Sequence, residues 1–170
     1  RVTDYLAFRI KQINNSFFRA IREIRYKGEY KGVFPVKVNQ QAQVIDRIVE
    51  FGKEFDFGLE VGSKPELLIA LAHDLSANST IICNGIKDRE FIHLAILSIK
   101  IGFKTILVLE SPRELDLIIK ISKELNVRPL LGIRVKLTNK VSGNWSQSSG
   151  DRSAFGLSVE QVMEVINKLK

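Results

Sequence analysis

Disulfide and thiol-metal chemistry is the first thing this sequence excludes. It holds one cysteine, Cys83, which cannot close an internal bridge and has no neighbouring Cys or His at zinc-binding spacing. A buried structural thiol is the expected role. Long apolar runs are missing too: none approaches the ~20 residues of a membrane-spanning helix. No signal-peptide pattern stands at the start, and a cytoplasmic setting is the default expectation. Histidine occurs twice, at His73 and His93. Both fall inside helical patterns and neither is assigned a role. There is no Arg/Lys run interleaved with aromatics. Although 26 Lys and Arg exceed 19 Asp and Glu, for a formal charge of +7, the basic residues read as solvated helix surface rather than a nucleic-acid face. Phosphate-cradling glycine motifs are absent as well. Ser148-Ser149-Gly150 could offer amides to an anion, but it matches neither the P-loop nor the dinucleotide pattern.

What is present is an ordinary globular balance, 45% hydrophobic and 26% charged in 170 residues, enough for one soluble unit with an ample core. The chain opens on Arg1 rather than methionine, and its last helical pattern runs to Lys170 without a cap. Residues 1–170 are therefore expected to be a single domain that is a piece of something longer.

Hydrophobic periodicity organises the chain. Leu6, Ile10, Ile13, Phe17, Ala20, Ile21 and Ile24 recur at helical spacing, which predicts a leading amphipathic helix over Tyr5 to Ile24. Val33 to about Asn39 reads as a first strand, followed by a helix over Gln41 to Phe51. The alternation then repeats. Strands are predicted near Asp56 to Glu60, at Thr80 to Cys83 and at Thr105 to Leu109, each followed by a helix: Ser63 to Ala72, Asp88 to Ile99, Ser111 to Leu125. A strand over Leu130 to Leu137, a long polar loop over Thr138 to Ser153 and a helix over Ser158 to Leu169 complete the pattern. Ser63-Lys64-Pro65-Glu66 and Ser111-Pro112-Arg113-Glu114 combine an N-cap serine, a proline at the first helical position and a glutamate at N3, so helix starts there are well specified. Short apolar strands alternating with helices predict an α/β fold with a parallel sheet. A doubly wound sheet and a (β/α)8 barrel both remain open on this pattern. With about five units, and a full barrel taking typically ~250 residues, a barrel would be incomplete.

In either architecture ligands gather at the C-terminal ends of the parallel strands. Those ends hold Lys37-Val38-Asn39, Leu59-Glu60-Val61-Gly62-Ser63, Cys83-Asn84-Gly85, Glu110-Ser111 and Arg134-Val135-Lys136. An amine, two carboxylates, amides and a guanidinium at one rim suit a charged, carbonyl-bearing ligand. Lys37 is the most informative of them. Alternation in an extended strand sets Val36 and Val38 on one face and Lys37 on the other with Pro35. A lysine facing a barrel interior is reactive or paired, and desolvation would free its lone pair for imine formation with a carbonyl. The alternative is a strand-end lysine reaching solvent. Trp145 and the serines around it read as a mobile or partner-contacting loop.

Phe34-Pro35-Val36-Lys37-Val38-Asn39-Gln40-Gln41 resembles the cofactor-lysine strand of the biosynthetic arginine decarboxylases, pyridoxal-phosphate enzymes of the alanine-racemase barrel type. Gly58 to Leu67 is similar to that family's second-strand segment, Cys83 to Glu90 to its third and Leu131 to Val135 to its fifth. Ser142-Gly143-Asn144-Trp145 with Phe155-Gly156-Leu157 resembles the long loop after it. The resemblance implies a partial (β/α)8 TIM-type barrel of about five βα units behind an N-terminal helix. It implies that Lys37 binds pyridoxal 5'-phosphate as an internal aldimine, is displaced by the amino group of L-arginine, and helps release agmatine after loss of carbon dioxide. Glu60 falls where related decarboxylases carry an acidic residue near the cofactor, and a supporting catalytic role is implied for it; a strand-end carboxylate paired with a lysine is the alternative. Arg134 is a weaker candidate. Mg2+ is implied by the family alone, and no hard-oxygen cluster here is assigned to it. Ala154 departs from the pattern, standing where relatives are expected to carry a basic residue.

By the same resemblance the phosphate cradle, the ring-stacking group, the pyridine-nitrogen partner and the second-subunit residues lie outside these 170 residues, and the parent is a homo-oligomer. The isolated piece is expected to be inactive. The competing readings are a non-catalytic pyridoxal-phosphate-binding or regulatory homologue, and a phosphate-binding barrel or doubly wound enzyme in which Lys37 is a plain anion contact.

Overall fold

The computed structural model describes residues 2–136 and 155–170. Helix α1 (Val2–Glu23) precedes five βα repeats: β1 (Val33–Pro35) and α2 (Ala42–Gly52), β2 (Gly58–Val61) and α3 (Lys64–Leu71), β3 (Thr80–Cys83) and α4 (Arg89–Lys100), β4 (Lys104–Leu109) and α5 (Pro112–Leu125), then β5 (Leu130–Ile133) and α6 (Val159–Leu169). Predicted and observed elements agree in kind and order, with ends that match within three residues except at β1 and β5. β1 stops at Pro35, and Val36–Val38 form a 3-10 turn closed by the Asn39 amide donating to the Val36 carbonyl at 3.2 Å. β5 stops at Ile133, four residues before its expected end, and Val135 beyond it takes part only in an isolated bridge. Leu137 and the loop over 138–153 lie outside the described residues.

All five strands are parallel and adjacent in the order β1-β2-β3-β4-β5. This order decides between the two architectures. A doubly wound sheet reverses strand order at its switch point and carries helices on both faces. Strands added always on the same side through right-handed crossovers put every helix on one face, as in a barrel wall. Burial reports the same asymmetry. Leu59, Val61, Ile81, Cys83, Leu107 and Leu109 are wholly buried, in one cluster with Ile45, Leu67, Ile92, Ile96, Leu115 and Ile118 from the helices. Their strand neighbours on the other face, Ile82, Ile106 and Val108, are only half-buried. The chain is an α/β fold and an unclosed stretch of barrel wall.

Local chemistry fixes where the helices begin. Ser63 Oγ accepts from the Glu66 amide and Asp88 Oδ1 from the Phe91 amide. At α6 a complete capping box forms between Ser158 and Gln161. Helix α5 ends on Asn126, in the left-handed region at φ 53°, where the Val127 amide reaches back to the Ser122 carbonyl at 3.0 Å.

Candidate functional site

The 3-10 turn changes the placement expected for Lys37. Val36 and Val38 do not share a face: Val36 is fully buried and Val38 is 68% exposed. A 3-10 turn advances about 120° per residue, so only one of three successive side chains can enter the core, and Val36 takes that place. The Lys37 side chain is 64% exposed. Its amine is therefore not desolvated by the described residues, and it faces a neighbouring carboxylate. Lys37 Nζ stands 3.6 Å from Glu60 Oε1, an ion pair too long for a hydrogen bond. After the turn, Asn39 Oδ1 accepts from the Gln41 amide at 3.0 Å and steers the chain into α2.

Glu60 is 6% exposed. Its partners in register are Pro35 on β1 and Ile82 on β3, which puts it on the face opposite the helices. Oε1 accepts from Asn84 Nδ2 at 3.1 Å. Oε2 is buried with no hydrogen-bond partner among the described residues, an unsatisfied acceptor of the kind that native structures rarely leave unexplained.

The remaining rim residues continue the contacts from one repeat to the next. The Gly85 amide donates to Glu110 Oε1 at 3.0 Å, and Arg134 Nη1 reaches the same oxygen at 3.1 Å. Glu110 Oε2 accepts from the Gly156 amide at 3.0 Å. Val135 and Leu157 form a parallel bridge, and the Arg134 guanidinium lies 5.2 Å over the Phe155 ring. Lys37, Glu60, Asn84, Glu110 and Arg134, all read as rim candidates from the sequence, thus form one run of contacts spanning β1 to β5, with the Gly85 amide joining Asn84 to Glu110.

Three residues of this rim were not singled out by sequence reasoning. Glu66 and Glu114 look like ordinary N3 caps, yet each is buried and neither closes a reciprocal capping box. Glu66 Oε2 accepts from the Gly62 amide at 2.8 Å and Glu114 Oε2 from the Glu110 amide at 2.9 Å, in each case one residue before the N-cap serine. The other oxygen of each reaches the preceding repeat: Glu66 Oε1 accepts from Gln40 Nε2 at 3.3 Å, and Glu114 Oε1 from the Lys87 amide at 2.8 Å. Lys87, whose side chain is fully buried, donates to the Gly85 and Val108 carbonyls at 2.6 and 2.5 Å and lies 3.2 Å from Glu114 Oε2. The repeated serine-then-glutamate spacing at 63–66 and 111–114 was the available signal; the burial was not legible from it. Pro112 is the first helical residue, as expected, whereas Pro65 is the second, because Lys64 opens α3.

Cys83 is buried, and burial pushes its thiol up to about 12. Its burial is as expected. His73 lies just past the end of α3 rather than within a helix, because the helix stops at Leu71, and it contacts Asp46 and the Ile69 carbonyl on the helical layer, away from the rim. Among the described residues no three His, Cys, Asp or Glu side chains group as metal ligands, and no helix is long and apolar enough to cross a membrane. Ser142 to Trp145, Ser148-Ser149-Gly150 and Ala154 lie outside the described residues.

Comparison with known proteins places this geometry. Residues 10–170 match the family model for the pyridoxal-dependent decarboxylase, pyridoxal binding domain. The whole chain is 51% identical to a biosynthetic arginine decarboxylase of Gloeobacter violaceus, covering 26% of that protein, and 46% identical to one of Nostoc, covering 25%. It spans about a quarter of the length of the curated relatives it matches. Among solved structures, the biosynthetic arginine decarboxylase of Campylobacter jejuni superposes with a TM-score of 0.87 at 34% identity, over 98% of this chain and 26% of that one. A diaminopimelate decarboxylase from M. jannaschii shares the fold, with a TM-score of 0.72 at 23% identity over 95% of this chain and 37% of its own. The rim of contacts from Lys37 to Arg134 is thus carried on a known scaffold, and the chain belongs to the pyridoxal-binding domain family of the pyridoxal-dependent decarboxylases.

Proposed function

We propose that this chain is the pyridoxal-phosphate-binding part of a longer arginine decarboxylase that converts L-arginine to agmatine and carbon dioxide for polyamine synthesis. The observation that carries the reading is likeness along the whole chain to biosynthetic arginine decarboxylases, with the exposed Lys37 amine beside the buried Glu60 carboxylate at the barrel rim. The residues present fit the cofactor at its aldehyde end. Lys37 offers an accessible amine, and Glu60 Oε2 is a buried acceptor with no donor among the described residues. When bound, pyridoxal phosphate supplies an electron sink for the carbanion left by decarboxylation.

The residues of this chain supply attachment and orientation. Lys37 would hold the cofactor through its amine, which would condense with the aldehyde as water leaves; once the substrate amine replaces it, Nζ would hold a proton for return to the product carbon. Glu60 keeps negative charge beside Nζ and fixes where the amine sits. Arg134, engaged by Glu110, braces the fifth strand end. The reading carries with it a cytoplasmic, homo-oligomeric parent with no nucleic-acid or membrane partner. No residue is assigned to Mg2+, because the described residues offer no carboxylate group set to hold it.

The test is to incubate the full-length protein with pyridoxal phosphate and arginine and to assay agmatine. Absence of product, with turnover of ornithine, lysine or diaminopimelate instead, would refute the substrate assignment. A cofactor adduct with no turnover of any of them would leave the non-catalytic homologue. Lys37→Ala is expected to abolish the adduct trapped by borohydride, and a surviving stoichiometric adduct refutes the role of Lys37.

A further inference from the structure

We propose that Asn84 is a positioning residue for the Lys37–Glu60 pair, acting through Glu60 Oε1. This inference rests on the reading of Lys37 as the cofactor lysine. Glu60 Oε1 carries two contacts, Asn84 Nδ2 at 3.1 Å and Lys37 Nζ at 3.6 Å, while Oε2 carries none among the described residues. Asn84 provides the only hydrogen bond to this carboxylate within those residues, and so sets which way its plane is turned.

The backbone that delivers Asn84 is pinned on every side. Its own amide donates to the Val61 carbonyl at 2.8 Å. Gly85 follows at φ 76°, where an added Cβ would stand 3.1 Å from the Gly62 carbonyl oxygen, and its amide is held by Glu110. The Gly85 carbonyl is held in turn by the buried Lys87 amine at 2.6 Å. A side chain placed this firmly costs little further entropy to hold in one rotamer.

The chemical type matters as much as the position. A cation at residue 84 would neutralise Glu60 and weaken its hold on Lys37. A neutral amide N–H satisfies one lone pair and leaves the negative charge facing the lysine. It also leaves Oε2 as the available buried acceptor. Without the amide, Glu60 can rotate Oε1 toward solvent, and the Lys37 amine loses the anchor that orients it for attack on the cofactor aldehyde.

The experiment uses the full-length protein and pyridoxal phosphate itself as probe. It follows growth of the absorption band of the lysine-bound cofactor and the borohydride-trapped fraction, neither of which depends on the substrate. Asn84→Ala is expected to slow band growth roughly tenfold, the effect of one lost hydrogen bond to a charged group. Glu60→Gln is expected to slow it by a similar factor, and the double variant to be no slower than Glu60→Gln alone, because both act on one carboxylate. Asn84→Asp keeps the shape and removes the donor; it is expected to be at least as slow as Asn84→Ala, and it replaces it in the cycle if the alanine variant does not fold. Strictly multiplicative effects, or an unchanged rate in Asn84→Asp, would overturn the proposal. A wild-type protein that traps no cofactor at Lys37 overturns it together with the role of Lys37. Trapping without agmatine production overturns the arginine decarboxylase reading and not this proposal, and the cycle is still read.

Discussion

Replacing Glu114 by glutamine isolates the contribution of the buried clasp between the third and fourth repeats. In the native rim the Glu114 carboxylate receives the Lys87 and Glu110 amides at 2.8 and 2.9 Å and faces the fully buried Lys87 amine at 3.2 Å. Glutamine retains one acceptor oxygen but turns an NH2 group toward a donor, and among the described residues it leaves Lys87 with the Gly85 and Val108 carbonyls. Removing one partner of a buried ion pair costs about 3–5 kcal/mol. The two remaining carbonyl contacts favour the lower end, about 3 kcal/mol, which is about a 100-fold change in a local opening equilibrium. Hydrogen exchange on the full-length protein reads this where it occurs. Peptides covering residues 84–88 and 108–112 should exchange about 100-fold faster in Glu114→Gln, while peptides over α2 stay as protected as in the wild type. Lys87→Met combined with Glu114→Gln should recover part of the loss, since no unpaired charge then remains. Unchanged exchange at the Lys87 and Glu110 amides would refute the assignment of Glu114 as their common anchor.

Two further outcomes follow from perturbed groups elsewhere. Lys31 lies 2.7 Å from Asp56, which also accepts from Ser76; Lys31 first and then Ser76 hold the Asp56 carboxyl below the usual range, and Asp56 raises Lys31. A lowered carboxyl stabilises the fold above its unfolded value near ~4 and loses that contribution as pH falls through its folded value. A raised amine contributes below ~10.4 and loses it as pH rises further. Asp56→Asn suits the left-handed backbone there, at φ 51°. It should cost about 1 kcal/mol in urea titrations at pH 7, with the difference from wild type vanishing on acidification below the folded value; a difference that persists there refutes the linkage. Cys83, with its thiol pushed up to about 12, should resist aromatic disulfide reagents at pH 8 until the protein is unfolded in urea. Rapid stoichiometric labelling of the native protein would contradict its burial.

Much of this architecture is written in one-dimensional patterns. Apolar period and strand alternation located every element from α1 to α6, because each is decided by local spacing and by caps such as Ser63, Asp88 and Ser158 acting within a few residues. Position at a strand end also sufficed to bring Lys37, Glu60, Asn84, Glu110 and Arg134 forward as a group. The turn at Val36–Val38 was not readable: β-branched residues favour extension, but packing of Val36 into the core and the Asn39 contacts outweighed that preference. Glu66, Glu114 and Lys87 were missed for a related reason. Their burial depends on partners delivered by neighbouring repeats more than 20 residues away, the Gln40 side-chain amide for Glu66 and backbone groups for Glu114 and Lys87, which no local pattern encodes. Strand order, too, belongs to the tertiary structure. Alternating strands and helices are compatible with a reversed or a continuous sheet, and only the pairing of β1 through β5 in sequence puts all the helices on one face and turns scattered strand-end residues into a single rim.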